Sequence, residues 1–246
     1  MDQDELIHQY RTGRRDFRRL ELAGASLNGA NLSQANFCQA NLSRAKLFEA
    51  NLAGCDFQEA RLDKADLTGA DLSQTNFGWA RLVQAIFYRA NLQQANLTEA
   101  KLSHAIFFAA NLSEANLNWA DLSWAKLYEA NLSWATLRNA NLSRVRLIAA
   151  DLSESTLTEA DLSSADLSNA DLREAKLNFA ILEKAILRRA NFKGADLRQA
   201  NLDQADLTEA SLSWANLTGA TVSRFQLDQA TDLEGVIFPD GSTADG

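Results

Sequence analysis

Proline is nearly absent from this chain of 246 residues, with Pro239 as the single copy. Together with an excess of Ala, Leu, Asn, Asp and Ser, that points away from an ordinary mixed domain and toward one short motif repeated many times. Histidine occurs twice and cysteine twice. His8 and His104 have no second His or Cys near them in any regular register, so a metal centre is not expected. No run approaches the ~18 apolar residues of a membrane span. The first residues, Met1-Asp2-Gln3-Asp4-Glu5, are acidic where a signal peptide needs a basic start, so a cytoplasmic location is expected. Positive charge is in the minority, 24 Lys and Arg against 32 Asp and Glu, and a net charge of −8 repels nucleic acid and anionic lipid on average. No glycine-rich phosphate loop is present.

What the chain does contain is a five-residue period. Every fifth residue from Phe17 to Leu227 gives 43 positions, each Leu or Phe except Val222. Two residues before each centre, from Ala25 to Ala230, lie 42 positions that are Ala except at Cys55, Thr75, Val145, Ser155 and Phe225. The unit is Ala-(Asn/Asp)-Leu-x-x. Five residues rotate an α-helix by about 140°, which would smear the apolar residues around it, and in a flat strand successive centres would alternate between faces. A chain that runs extended for three residues and bends through the next two keeps every Ala and Leu inside. Phe17, Phe37, Phe57 and Phe77 recur every 20 residues, as do Phe87 and Phe107. Four units per coil would stack these rings and give about eleven coils, a rod ~50 Å long at ~4.8 Å per coil. Small Ala beside large Leu or Phe is the complementarity that dense cores require. The same register points Cys38 outward and Cys55 inward, so reduced thiols are expected.

These residues resemble the pentapeptide-repeat family, whose consensus is an Ala-(Asp/Asn)-Leu unit. The resemblance implies an all-β, right-handed quadrilateral β-helix. Residues 1–15 read as a short N-terminal helical cap, with Leu6, Ile7 and Tyr10 lying over the first coil and Gly13 ending the helix. Residues 16–230 read as the solenoid. Residues 231–246 read as a C-terminal cap and flexible tail, with the centres slipping by one to Leu233 and Phe238 before the turn Pro239-Asp240-Gly241. The segment Tyr10-Arg11-Thr12-Gly13-Arg14-Arg15-Asp16-Phe17 and the ending around Phe238 are similar to those of cyanobacterial members, including a regulator of heterocyst differentiation.

Catalysis is not expected. Ser113, Ser133 and Ser153 stack on an outward column with no His to activate them, and the many carboxylates line convex walls rather than a cleft. A hexapeptide β-helix acyltransferase would show a period of six, and an ice-binding solenoid would need an unbroken Thr ladder, whereas Thr98, Thr158 and Thr218 are separated by other residues. No cofactor is implied.

Sorting the outward residues by position modulo 20 singles out one wall. Ile86 and Ile106 precede the centre on successive coils, and Phe48, Thr68, Tyr88, Phe108, Tyr128 and Ile148 follow it. Arg89, Lys126, Glu129 and Arg146 form a charged rim, and at the preceding corner Trp124 falls between His104 and Arg144. A contiguous aromatic patch with a charged border marks a protein-binding surface, for a partner protein or a second copy of the chain. The competing explanation is cross-strand packing that only stabilises the wall. Trp79, Trp119, Trp134 and Trp214 are scattered over two other walls. Asp71, Glu114, Asp151, Glu154, Asp171 and Glu174 make a further wall acidic, interrupted by Arg173 and Lys193. A protein-interaction or regulatory module is therefore expected. The alternative is a DNA-mimicking, topoisomerase-binding protein, as in some members of the resembled family. The mixed charge, the lack of projecting loops and the lack of an evident dimerising helix speak against it.

Overall fold

The structure is a computed structural model describing residues 3–243. From residue 16 to residue 221 the chain repeats one five-residue conformation. The residue before each centre forms a parallel β-bridge with the residue twenty positions along, from Asp16↔Asn36 through to Asn201↔Thr221. A step of twenty residues with a bend in every five closes a four-sided coil, as the phenylalanine spacing predicts.

One repeat shows why the consensus has its composition. The amide of Ala110 donates to Phe107 O at 3.0 Å and closes the turn. That of Asn111 donates to Ala90 O in the coil before, and those of Leu112 and Glu114 donate to Asn131 O and Ser133 O in the coil after. The fifth amide, of Ser113, donates to the Asn111 side chain, Oδ1, at 3.1 Å. All five donors are satisfied, so the outward Asn or Asp is an acceptor for the turn as well as a solvated group. Glu114 has φ of 60°. With the closing hydrogen bond, that is the geometry of a type II turn, and a positive φ recurs at each corner from Arg19 to Gly219. Glycine fills only a minority of these sites. The left-handed conformation costs of order 1 kcal/mol for other residues, a cost offset because the same residue's amide is locked into the ladder.

The wall segments are shorter than expected. Each repeat contributes a single bridging residue, with no three-residue strand, because two of every five residues belong to the turn and the flanking Ala and Leu turn inward. The core is the expected one. The Leu and Phe centres from Phe17 to Leu217 are buried. Phe17, Phe37, Phe57 and Phe77 stack with centroids 5.1 to 5.5 Å apart, and Phe87 stacks on Phe107 at 4.6 Å. The polar exceptions at the Ala positions are paired: Cys55 Sγ donates to Leu32 O, Thr75 Oγ1 to Leu52 O and Ser155 Oγ to Leu152 O. Both cysteines are free, and burial pushes the Cys55 thiol up to about 12.

Helix α1, Gln3–Arg11, buries Leu6 and packs Ile7 and Tyr10 on the core, and the Tyr10 hydroxyl donates to Ser33 O at 3.0 Å. Gly13, at φ of 104°, ends it. The other end departs from the sequence reading. The spacing of Val222 and Leu227 continues the repeat, yet Arg224–Leu227 forms a helix, α2, capped by a reciprocal pair between Ser223 and Gln226. Phe225 occupies an Ala position where a large side chain cannot point inward, so the turn opens and leaves Phe225 exposed. After α2 the bridges resume with an offset of 21, Ser211↔Asp232 and Asn216↔Ile237, which is the expected slip of one. The expected flexible tail is paired as far as Thr243, which bridges antiparallel to Ile237, because Pro239 to Ser242 form a hydrogen-bonded turn. The remainder of that tail and the first two residues lie outside the described residues.

Candidate partner-binding surface

Ile86, Ile106, Lys126 and Arg146 bridge one another in sequence along the middle of one face. The corner that follows carries Tyr88, Phe108, Tyr128 and Ile148, all half-buried. Tyr88 and Phe108 stack with centroids 5.5 Å apart, and Phe108 meets Tyr128 at 6.3 Å in a tilted arrangement. Arg146 Nη1 donates to the Tyr128 hydroxyl at 3.0 Å, a contact that raises the arginine's pKa further. Arg89 lies over the Tyr88 ring at 5.1 Å. On the preceding corner Trp124, 49% exposed, stacks on His104 at 6.1 Å and receives the Arg144 guanidinium at 4.7 Å from its centroid. The structure thus brings all eight sequence-selected residues onto one face and its two corners: Ile86, Tyr88, Ile106, Phe108, Trp124, Tyr128, Arg146 and Ile148. Rings that stack along a column keep their outer edges toward solvent, and a β-helical wall cannot rotate them away.

Replacing the consensus Asn or Asp on this face has a second effect. Where Ile86, Ile106, Lys126 and Arg146 stand, the following corner amide loses its side-chain acceptor. The amides of Tyr88, Phe108, Tyr128 and Ile148 consequently have no acceptor among the described residues. At three other substituted corners a neighbouring coil compensates, with Asn28, Asp63 and Asn118 accepting from the amides of Phe48, Val83 and Arg138, whereas the amides of Asp63, Ser103, Glu183 and Arg188 also have no acceptor among the described residues. Four successive unpaired donors therefore lie under the aromatic column.

Sequence reasoning missed two features. Ile181 and Ile186 are exposed at outward positions on successive faces, near exposed Phe179. They were detectable as isoleucines at the Asn/Asp position. Phe225 was detectable as a break in the Ala column, although its exposure depends on α2. Trp79, Trp119, Trp134 and Trp214 all occupy positive-φ corner positions and are each at least half exposed, without stacking on one another. Among the described residues no group of His, Cys, Asp or Glu could hold a metal ion, and no helix is long and apolar enough to cross a membrane.

Comparison with known proteins gives a consistent picture. A sequence model of pentapeptide repeats matches in 8 copies between residues 16 and 224. The chain is 34% identical to HetL, a pentapeptide repeat protein involved in heterocyst differentiation regulation from the cyanobacterium Nostoc sp. strain PCC 7120. That similarity covers 99% of each chain, with a TM-score of 0.42. It is 27% identical to Rfr23 from the cyanobacterium Cyanothece 51142 over 45% of this chain and 90% of that one, with a TM-score of 0.43. Similarity to the fluoroquinolone-resistance protein QnrB1 is 18%, over 87% of this chain and 96% of that one, with a TM-score of 0.47. Comparison with curated proteins returns no match.

Proposed function

Because the chain belongs to the pentapeptide-repeat family, we propose that it is a non-catalytic interaction module, a right-handed solenoid of about eleven coils at four repeats per coil, closed at one end by α1, that binds a protein partner through the wall centred on Phe108. The observation that carries this reading is the column Tyr88, Phe108 and Tyr128, whose half-buried rings contact one another in series along one outward corner. The scaffold that holds them has no freedom to bury them. Preorganised aromatic anchors ringed by charges concentrate interface energy, since little conformational entropy is lost when they are covered. Trp124, with Arg144 over its face, extends the surface around the corner. The involvement of HetL in differentiation control, at 34% identity, supports a regulatory role for this chain.

The test is a comparison of wild type with the combined variant Tyr88→Ser, Phe108→Ser and Tyr128→Ser in pull-down from the native host and in native oligomer analysis, once circular dichroism confirms the coil. Loss of a specific partner, or of self-association, is the expected result, with truncation of one such anchor weakening binding by ~2 kcal/mol. Retention of every partner and of the oligomeric state would mean the column serves wall packing alone.

A further inference from the structure

Charge on this rod is distributed by face. Every lysine and arginine between residues 20 and 170, except Arg138, belongs to the two adjacent faces and corners that include the aromatic wall. Arg61, Arg81 and Lys101 bridge one another on three successive coils of the face before Trp124, and Lys126 and Arg146 bridge on the aromatic face. Like charges in directly opposed bridge positions repel across a ladder, so such stacking is unfavourable for the free protein. Carboxylates end both ladders, Asp121 bridging Lys101 and Asp166 bridging Arg146, and Asp63 and Glu129 stand at the corners. Yet of the eight ion pairs among the described residues, only Arg81 with Asp63, at 3.1 Å, lies between residues 20 and 170. Toward the C-terminus the opposite holds, where Arg173, Arg188, Arg189 and Arg198 are each matched to a carboxylate.

Between residues 20 and 170 the cations gather on one side, most of them without a carboxylate partner and beside backbone amides that have no acceptor within the protein, and such a surface is complementary to a segment rich in carboxylates. We infer that this surface binds an acidic, apolar-punctuated peptide segment of a protein partner, carboxylates meeting the Arg61–Arg81–Lys101 ladder with Lys126 and Arg146, and apolar side chains meeting Tyr88, Phe108 and Trp124. The four free amides of Tyr88, Phe108, Tyr128 and Ile148 supply donors for the segment's backbone or carboxylate oxygens. A peptide is favoured over nucleic acid because the net charge of −8 opposes a polyanion extending beyond the patch, whereas a short acidic stretch stays within it. The inference rests on the aromatic-wall reading and adds the chemistry of the partner.

The experiment is selection of a random twelve-residue phage peptide library on the immobilised full-length protein. Selected peptides are then titrated at about 0.05 and 0.5 M salt against wild type, the reversal variant Arg61→Glu, Arg81→Glu and Lys101→Glu, and the triple aromatic variant. We expect enrichment of Asp and Glu interspersed with apolar residues, binding that weakens with salt, and at least a roughly tenfold loss on charge reversal, about 1.4 kcal/mol. Neutralisation to Gln at the same three positions serves if reversal disturbs the fold, with the same loss expected. No enrichment, enrichment without acidic bias, or undiminished binding to the charge variants overturns the inference. So does tighter binding of a duplex DNA oligonucleotide than of the selected peptides. If the aromatic variant loses partner binding while the charge variants keep it, the wall reading stands and the acidic partner falls. If only the charge variants lose binding, the acidic partner stands and the aromatic anchoring falls.

Discussion

Each position of the five-residue unit answers a specific physical demand. Ala is small because it flanks a turn with no slack, the centre is large because it fills the axis, and Asn or Asp accepts from the one corner amide that the ladder cannot reach. Exceptions are tolerated when they meet the same demand, as Thr75 does by donating to Leu52 O. Ala120 has no such latitude: it is fully buried, and its amide closes the turn to Leu117 O. Ala120→Leu should therefore overpack its corner and destabilise the protein by ~1–3 kcal/mol. A thermal melt checks this, and an unchanged midpoint would show that the corner can relax. These roles were legible in the sequence because a strict period of five leaves few conformations that bury both columns. The acceptor role of Asn and Asp was not, because it depends on where a turn amide points.

At the scale of elements, α1 and α2 have unequal standing in the sequence. α1 is announced by Leu6, Ile7 and Tyr10 and by Gly13, whereas α2 is marked only by Val222 and Phe225, two exceptions in columns whose spacing otherwise continues. In the structure α2 substitutes for a coil corner. Gln226 Nε2 donates to Leu202 O at 2.6 Å and to Ala205 O at 2.9 Å, carbonyls at the end of the regular ladder. This side chain thus blunts an exposed β-edge of the kind that invites association. Gln226→Ala should cost about 1–2 kcal/mol and loosen the last turn. Hydrogen exchange should accelerate at the amides of Asp228 and Glu209, which donate to Arg224 O and Gln229 O in and beside α2. Unchanged exchange there would mean the edge is held by other contacts.

For the whole molecule, the distribution of charge decides between the two binding readings. The acidic face is short and partly neutralised: Asp151 and Asp171 bridge each other, but Arg173 pairs with Asp171 at 2.6 Å. A DNA mimic needs a continuous anionic surface, and here an opposed cationic side accompanies a discontinuous acidic one. The protein should not inhibit DNA supercoiling by purified gyrase at stoichiometric concentration. Inhibition that disappears on neutralising Asp151, Glu154 and Asp171 would reverse that ranking. The uniform coil also means that stability accumulates from nearest-neighbour contacts, so surface variants at the aromatic or cationic face should leave the rod intact and isolate binding from folding.

The sequence by itself determined the period, the inward columns, the four-sided coil and the stacked phenylalanines, because burial in this fold is a local code repeated every five residues. Sorting positions modulo 20 also located the aromatic face, since the coil closes on that number. What only the tertiary structure decided lies where local pattern and spatial neighbourhood part. Phe225 cannot occupy an Ala site, so the chain turns helical there and the register slips by one. The unpaired amides under Tyr88 and Phe108 emerge only when every donor is matched to an acceptor across coils. Whether a cation is matched or free depends on side-chain reach between stacked turns, as the contrast between Arg198 with Asp196 and unpaired Arg61 shows.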